Sequence, residues 1–68
     1  MEFTTKNYQH TQRIIRALLD SEFGFERFRG KASEVKNADF YIYERKGVIH
    51  MQGEGENQEA IERIIEKA

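Results

Sequence analysis

The chain has 68 residues and a formal net charge of −1, from 11 basic and 12 acidic side chains. This length allows one domain with a small core, whose free energy of unfolding should be roughly 3–5 kcal/mol. The charge balance excludes a protein that binds nucleic acid over its whole surface, so any such binding needs a local basic patch. The absence of cysteine excludes disulfides, thiolate metal sites and cysteine nucleophiles.

The N-terminal third predicts a short strand and then an amphipathic helix. Glu2-Phe3-Thr4 forms the strand, and Thr4 or Thr5 caps the helix by accepting a backbone N–H bond. The helical spacing predicts a buried face of Tyr8, Thr11, Ile14, Ile15, Leu18 and Leu19. The solvated face then carries Lys6, Gln9, His10, Arg13, Arg16 and Asp20. We expect the helix to end at 21–23, before Gly24.

The segment 25–29 predicts a second strand, and residues 33–38 predict a connecting loop. Basic and aromatic side chains alternate in and just after this strand: Phe25, Arg27, Phe28, Arg29 and Lys31. The pattern suits a strand that binds single-stranded nucleic acid, because rings stack on bases while cations meet phosphates. An ordinary strand with one core face and one solvated face gives the same pattern, so both interpretations stand.

The run 40–43 is the densest group of β-forming residues, and a second strand follows at 48–52. Arg45-Lys46-Gly47 fits a three-residue hairpin loop with glycine at the position of positive φ. This register predicts a core face of Tyr41, Tyr43, Ile49 and Met51. It predicts an outer face of Phe40, Ile42, Glu44, His50 and Gln52. A two-residue Lys46-Gly47 turn would instead direct Glu44 inward, and we reject it for that reason.

The C-terminal segment predicts a second helix, because Gly53-Glu54-Gly55 ends the strand and Asn57 is a good cap. Its apolar stripe consists of Ala60, Ile61, Ile64, Ile65 and Ala68. The predicted order is therefore β-α-β-β-β-α. This is an α+β domain covering residues 1–68, with a four-stranded antiparallel sheet and two helices packed on one face.

This order, together with the segment 43–53, resembles one repeat of the TATA-box-binding-protein fold. It is most similar to the N-terminal substrate-binding domain of bacterial type-three ribonuclease H. Gly47 matches the turn glycine of those families, and Gln52-Gly53 matches the exit from the strand. Lys46, Val48 and Glu44 depart from the family, which has serine, lysine and an aromatic residue at or near these positions. Because a carboxylate at residue 44 cannot wedge between bases, we expect no sharp kink in bound DNA.

The resemblance implies a non-catalytic module whose open sheet face binds nucleic acid weakly and in a salt-sensitive manner. The candidate binding residues, for nucleic acid or for a protein partner, are Arg27, Arg29, Lys31, Ile42, His50 and Gln52. The alternative is a protein-interaction, regulatory or inhibitor domain, possibly a homodimer formed through the open face. Phe40 and Ile42, as exposed apolar residues, and the acidic second helix motivate that alternative. A different assignment of faces would place Phe40 and Ile42 in the core.

Several kinds of function are not expected from the sequence. No nucleophile, base and orienting residue occur in a recognisable arrangement, so we expect no enzyme. His10 and His50 lack metal-ligand spacing, and we expect no metal or cofactor. The first residues lack a signal peptide pattern and no apolar run is long enough for a membrane span, so we expect no membrane contact. With no cysteine present, a cytoplasmic location is expected.

Overall fold

The computed structural model describes residues 1–68 and has an α+β fold with one five-stranded antiparallel sheet. The strands are β1 (Glu2–Thr4), β2 (Glu26–Arg27), β3 (Glu34–Lys36), β4 (Phe40–Arg45) and β5 (Val48–Gly53). The helices are α1 (Tyr8–Asp20) and α2 (Gln58–Lys67), and a 3-10 turn covers Phe28–Gly30. The strand order in the sheet is β1-β5-β4-β3-β2. The predicted fold class and both helices are confirmed, whereas the predicted count of four strands is wrong.

The additional strand is β3, in the segment that we predicted to be a loop. It pairs with β4 and brings Val35 opposite Ile42, and both side chains are fully buried. Of its three residues only Val35 is buried. Three residues are too few to show the alternation of apolar and polar side chains that indicates a strand in a sequence. The strand predicted at 25–29 is correspondingly shorter, because the chain leaves β2 at Phe28 and enters the 3-10 turn.

A single core joins both helices to one face of the sheet. Its ten buried side chains are Ile14, Ile15, Leu18, Phe25, Val35, Phe40, Ile42, Ile49, Ile61 and Ile65. Branched aliphatic residues dominate this set, and each fully buried one contributes about 1.5–3 kcal/mol relative to an exposed one. Neither helix is long and apolar enough to cross a lipid bilayer.

The start of α1 differs from the prediction. Asn7 caps the helix by accepting the backbone N–H of His10 at 2.8 Å, and Thr5 instead bonds the Gly47 carbonyl oxygen with its backbone N–H at 2.8 Å. Tyr8, which we predicted to be buried, is 66% exposed. His10, which we predicted to be solvated, is buried with only 5% exposed. His10 lies four residues before Ile14, on the same face of α1, and so extends the buried face to the start of the helix.

The predicted hairpin register is wrong, and the rejected two-residue turn is correct. Lys46 and Gly47 both have positive φ, 53° and 79°, as in a type I′ turn. Ile42 therefore pairs with Met51 and Tyr43 pairs with His50. Phe40 and Ile42 enter the core, because they have no polar group to satisfy, whereas the hydroxyls of two tyrosines would need partners there.

Glu44 follows this register to the helix side of the sheet without becoming an unsatisfied buried charge. It lies next to the turn, is half-buried, and accepts the Gly47 backbone N–H at 3.2 Å. The carboxylate thus stays at the rim of the sheet. At the other end of the chain, Asn57 precedes α2 as predicted, although its side chain forms no capping hydrogen bond.

Candidate functional site

The open face is the side of the sheet that no helix covers. Strand alternation places it opposite Val35, Ile42 and Ile49, which belong to the core. Its strand residues are Glu2, Thr4, Glu26, Glu34, Lys36, Tyr41, Tyr43, Arg45, Val48, His50 and Gln52. Four rings lie across it, and we call Phe28, Tyr41, Tyr43 and His50 the aromatic row.

The rings of the aromatic row contact one another in sequence. Phe28 meets Tyr41 edge to face with centroids 5.4 Å apart and planes at 61°. Tyr41 stacks on Tyr43 at 5.0 Å and 25°, and Tyr43 stacks on its cross-strand partner His50 at 5.0 Å and 18°. Such contacts contribute about 0.5–1.5 kcal/mol per pair and hold the rings in a fixed arrangement.

Three cationic side chains lie over this row. The Arg29 guanidinium carbon is 5.0 Å and the Lys36 Nζ is 5.6 Å from the centre of the Phe28 ring. The Arg45 guanidinium carbon is 5.8 Å from the centre of the Tyr43 ring. The structure contains two salt bridges, Lys31–Glu34 and His50–Glu2. None of the three cationic side chains takes part in either of them. Their N–H groups therefore remain available to an anionic ligand.

Arg29 reaches Phe28 through an unusual backbone conformation. Its φ and ψ are 55° and 31°, in the left-handed region, and Gly30 follows with φ of 70°. A non-glycine residue there costs on the order of 1 kcal/mol. The conformation closes the 3-10 turn and leaves the guanidinium group over the ring.

Glu34 and Tyr41 form the shortest side-chain pair of the open face. The Tyr41 hydroxyl donates to Glu34 Oε1 at 2.6 Å, and Lys31 Nζ lies 3.5 Å from Glu34 Oε2. The Tyr41 hydrogen bond is the main cause that lowers the pKa of Glu34, and the charge of Lys31 lowers it further. The same hydrogen bond raises the pKa of Tyr41. Glu34 is thus held charged but compensated on both oxygens.

Two further contacts define the β5 side of the row. Gln52 Nε2 donates to the Tyr43 hydroxyl at 3.2 Å, which leaves the hydroxyl proton of Tyr43 free to donate. His50 Nδ1 lies 3.5 Å from Glu2 Oε2, a salt bridge when the imidazole is protonated. Near Tyr43 the open face therefore offers two hydrogen-bond donors, the Tyr43 hydroxyl and Arg45. Near His50 it carries a carboxylate, that of Glu2.

The structure brings four of the six predicted site residues to the open face: Arg29, Lys31, His50 and Gln52. Ile42 is not among them, because it is 0% exposed in the core. Arg27 is not either, because it pairs with buried Val35 and so projects to the helix side. There its Nη1 donates to the Ala32 carbonyl oxygen at 2.8 Å.

Sequence reasoning missed four residues of this face: Tyr41, Tyr43, Lys36 and Arg45. The two tyrosines were assigned to the core by the wrong register, and Lys36 was assigned to a loop. The available signal was the contrast within β4, where Phe40 and Ile42 lack hydroxyls and Tyr41 and Tyr43 carry them.

Other parts of the surface carry no comparable cluster. No three His, Asp or Glu side chains lie close enough to hold a metal ion. The largest hollow, about 670 Å³, lies on the outer surface of α1 beside Tyr8, Arg13 and Arg16 and does not reach the open face. No protein-family model, curated protein or solved structure matches this chain.

Proposed function

We propose that this protein is a non-catalytic module that binds nucleic acid through the open face. One observation carries the proposal: Arg29, Lys36 and Arg45 form no salt bridge and lie over the aromatic row of the uncovered sheet face. Contacts with phosphates supply most of the affinity in non-specific nucleic-acid binding. A rigid face that offers cationic N–H groups suits such contacts.

The sequence resemblance to TATA-box-binding and type-three ribonuclease H domains supports the same proposal. Glu44 is one of the departures from those families, and a carboxylate on the open face would also repel phosphate. Glu44 lies at the helix-side rim and accepts the Gly47 N–H. Its charge therefore does not oppose a ligand on the other side of the sheet.

The expected binding is weak and salt-sensitive. The open face and its margin carry four cations, Arg29, Lys31, Lys36 and Arg45, but also three carboxylates, Glu2, Glu26 and Glu34. Lys31 is already paired with Glu34. Only a few phosphates can be neutralised at once, so the affinity should be weak and should fall moderately as salt is raised.

The test is fluorescence anisotropy with labelled single-stranded DNA, duplex DNA and RNA–DNA hybrid, each at low and at higher salt. We expect binding to at least one form at low salt, and its loss in the triple variant Arg29→Gln, Lys36→Gln, Arg45→Gln. The matched control, Lys6→Gln, Arg13→Gln, Arg16→Gln, removes the same charge from the α1 side and should keep binding. Absence of binding to every form would refute the proposal.

A second candidate is a protein-binding surface, which the near balance of charges on the open face favours. Tyrosine and arginine are also the residues that dominate the energetic centres of protein interfaces. The earlier support from Phe40 and Ile42 is removed, because both are buried. If the face pairs with a second copy, sedimentation will show a dimer that Tyr43→Ala dissociates, and oligonucleotides will not bind.

A further inference from the structure

We infer that the open face holds its ligand by the phosphate backbone and does not read the bases, an inference that rests on the proposed nucleic-acid binding. Sheet faces that bind single strands commonly use exposed ring faces as platforms on which bases stack. The aromatic row presents its rings differently, and this difference decides what part of a nucleic acid it can contact.

The ring faces are already used within the protein. Tyr43 carries two stacked rings, Tyr41 and His50, and the Arg45 guanidinium lies over it as well. Phe28 has Arg29 and Lys36 within 6 Å of its centre and the Tyr41 ring against it. A base could stack on Tyr43 or Phe28 only by displacing their present partners. All four rings are consequently half-buried although no helix covers them.

The groups that do point outward suit phosphate oxygens. Arg29, Lys36 and Arg45 are donors without an acidic partner, and the hydroxyl proton of Tyr43 is free because Gln52 donates to that oxygen. The cations lie at two places, over Phe28 and over Tyr43, joined by ring-to-ring steps of 5.4 and 5.0 Å. The centres of the Phe28 and Tyr43 rings are therefore at most about 10 Å apart, close enough for the two groups of cations to contact neighbouring phosphates of one strand.

These features lead to a defined salt dependence. Three cations that neutralise three phosphates of a single strand should give a slope of log K against log salt concentration of about −2. Each single substitution, Arg29→Gln, Lys36→Gln or Arg45→Gln, should reduce the magnitude of that slope by about 0.7. A slope near zero would overturn the inference, because binding would then not involve phosphate charge.

The direct experiment compares three single-stranded oligomers of ~12 nucleotides in the same anisotropy titration. One has a natural mixed sequence, one is its abasic counterpart with an intact phosphate backbone, and one is its uncharged methylphosphonate analogue. We expect the abasic oligomer to bind within about twofold of the natural one, and the methylphosphonate to bind at least about tenfold more weakly.

The outcomes separate this inference from the proposed function. A tenfold or greater loss with the abasic oligomer would show that bases are read, which overturns the inference and leaves the proposed function intact. Binding confined to duplex or hybrid would do the same, because phosphates alone would then not suffice. No binding to any natural nucleic acid would refute the proposed function and the inference together.

Discussion

The two faces of the β4–β5 hairpin lie in different environments, although their residues alternate along the same strands. On the helix side, Phe40, Ile42 and Ile49 are at most 2% exposed and belong to the core. On the open face, Tyr41, Tyr43 and His50 stay half-buried and pack mainly on one another. Stability should therefore depend on the helix side and ligand binding on the open face. Substitutions on the two sides should separate these properties.

The largest expected effect comes from the helix side. Ile42→Ala removes a fully buried side chain and should cost about 2–5 kcal/mol, comparable with the whole stability of a domain of this size. Tyr43→Phe on the open face removes only a hydroxyl and should change stability by less than about 0.5 kcal/mol. Urea unfolding followed by circular dichroism measures both. Similar costs for the two variants would contradict the division between the faces.

The turn that fixes this division is the next target. Gly47→Ala places a side chain at a φ of 79° and should cost about 1–2 kcal/mol. Lys46→Asn should stabilise by roughly 0.5 kcal/mol, because asparagine tolerates the positive φ that lysine has at this position. The three-residue loop requires positive φ at the glycine alone. Unchanged stability in Lys46→Asn would therefore argue for that register instead.

The histidine of the helix side supplies a test by pH. His10 is buried, and its Nδ1 accepts the Lys6 backbone N–H at 2.9 Å. Burial, followed by the charges of Arg13 and Lys6, lowers its pKa from 6.5. Around that pH the unfolded chain binds more protons, so the free energy of unfolding should decrease as pH falls through about 6.5.

The matched variant for this effect is His10→Asn, which keeps an acceptor near the Nδ1 position and cannot titrate. Urea unfolding at pH 7.5 and 5.5 should show a smaller loss on acidification in His10→Asn than in the unmodified protein. The other titrating groups are common to both proteins and cancel in the comparison. An identical loss in both proteins would show that the protonation of His10 is not coupled to folding.

The smallest expected effect concerns the hydrogen bond between Tyr41 and Glu34 on the open face. Tyr41→Phe removes the principal cause of the lowered Glu34 pKa, so the pKa should rise toward its ordinary value. Lys31 remains beside the carboxylate and should keep part of the lowering. An NMR titration of the Glu34 carboxyl carbon measures the change. A pKa that stays the same would mean that the 2.6 Å bond does not persist in solution.

The helices could be predicted because their patterns extend over 13 and 10 residues, which averages out single misleading positions. The hairpin register could not, because we decided it on one carboxylate. A charged side chain is costly in a core, but Glu44 lies next to the turn, where the Gly47 N–H satisfies it at the rim. The cost of burying a charge therefore does not apply to Glu44, because the core does not extend to its position.

The wrong hairpin register also gave the wrong set of residues for the open face. Once Tyr41 and Tyr43 were assigned to the core, the aromatic row could not be seen, and Ile42 was wrongly proposed as a contact residue. Strand β3, and with it the place of Lys36 on the open face, was also missed. Three residues with one buried side chain show no alternation from which a strand could be predicted. The left-handed conformation of Arg29 could not have been predicted, because arginine is not a residue type that favours positive φ.

The central claim is that ligand binds the open face, and an NMR titration of the ¹⁵N-labelled protein with the oligonucleotide that binds most tightly tests it directly. The amide shifts should change at 28–36, 41–45 and 48–52, and they should change little along the outer surface of α1, at Gln9, Arg13 and Arg16. Shifts centred on α1, with residues 41–45 unaffected, would contradict the account.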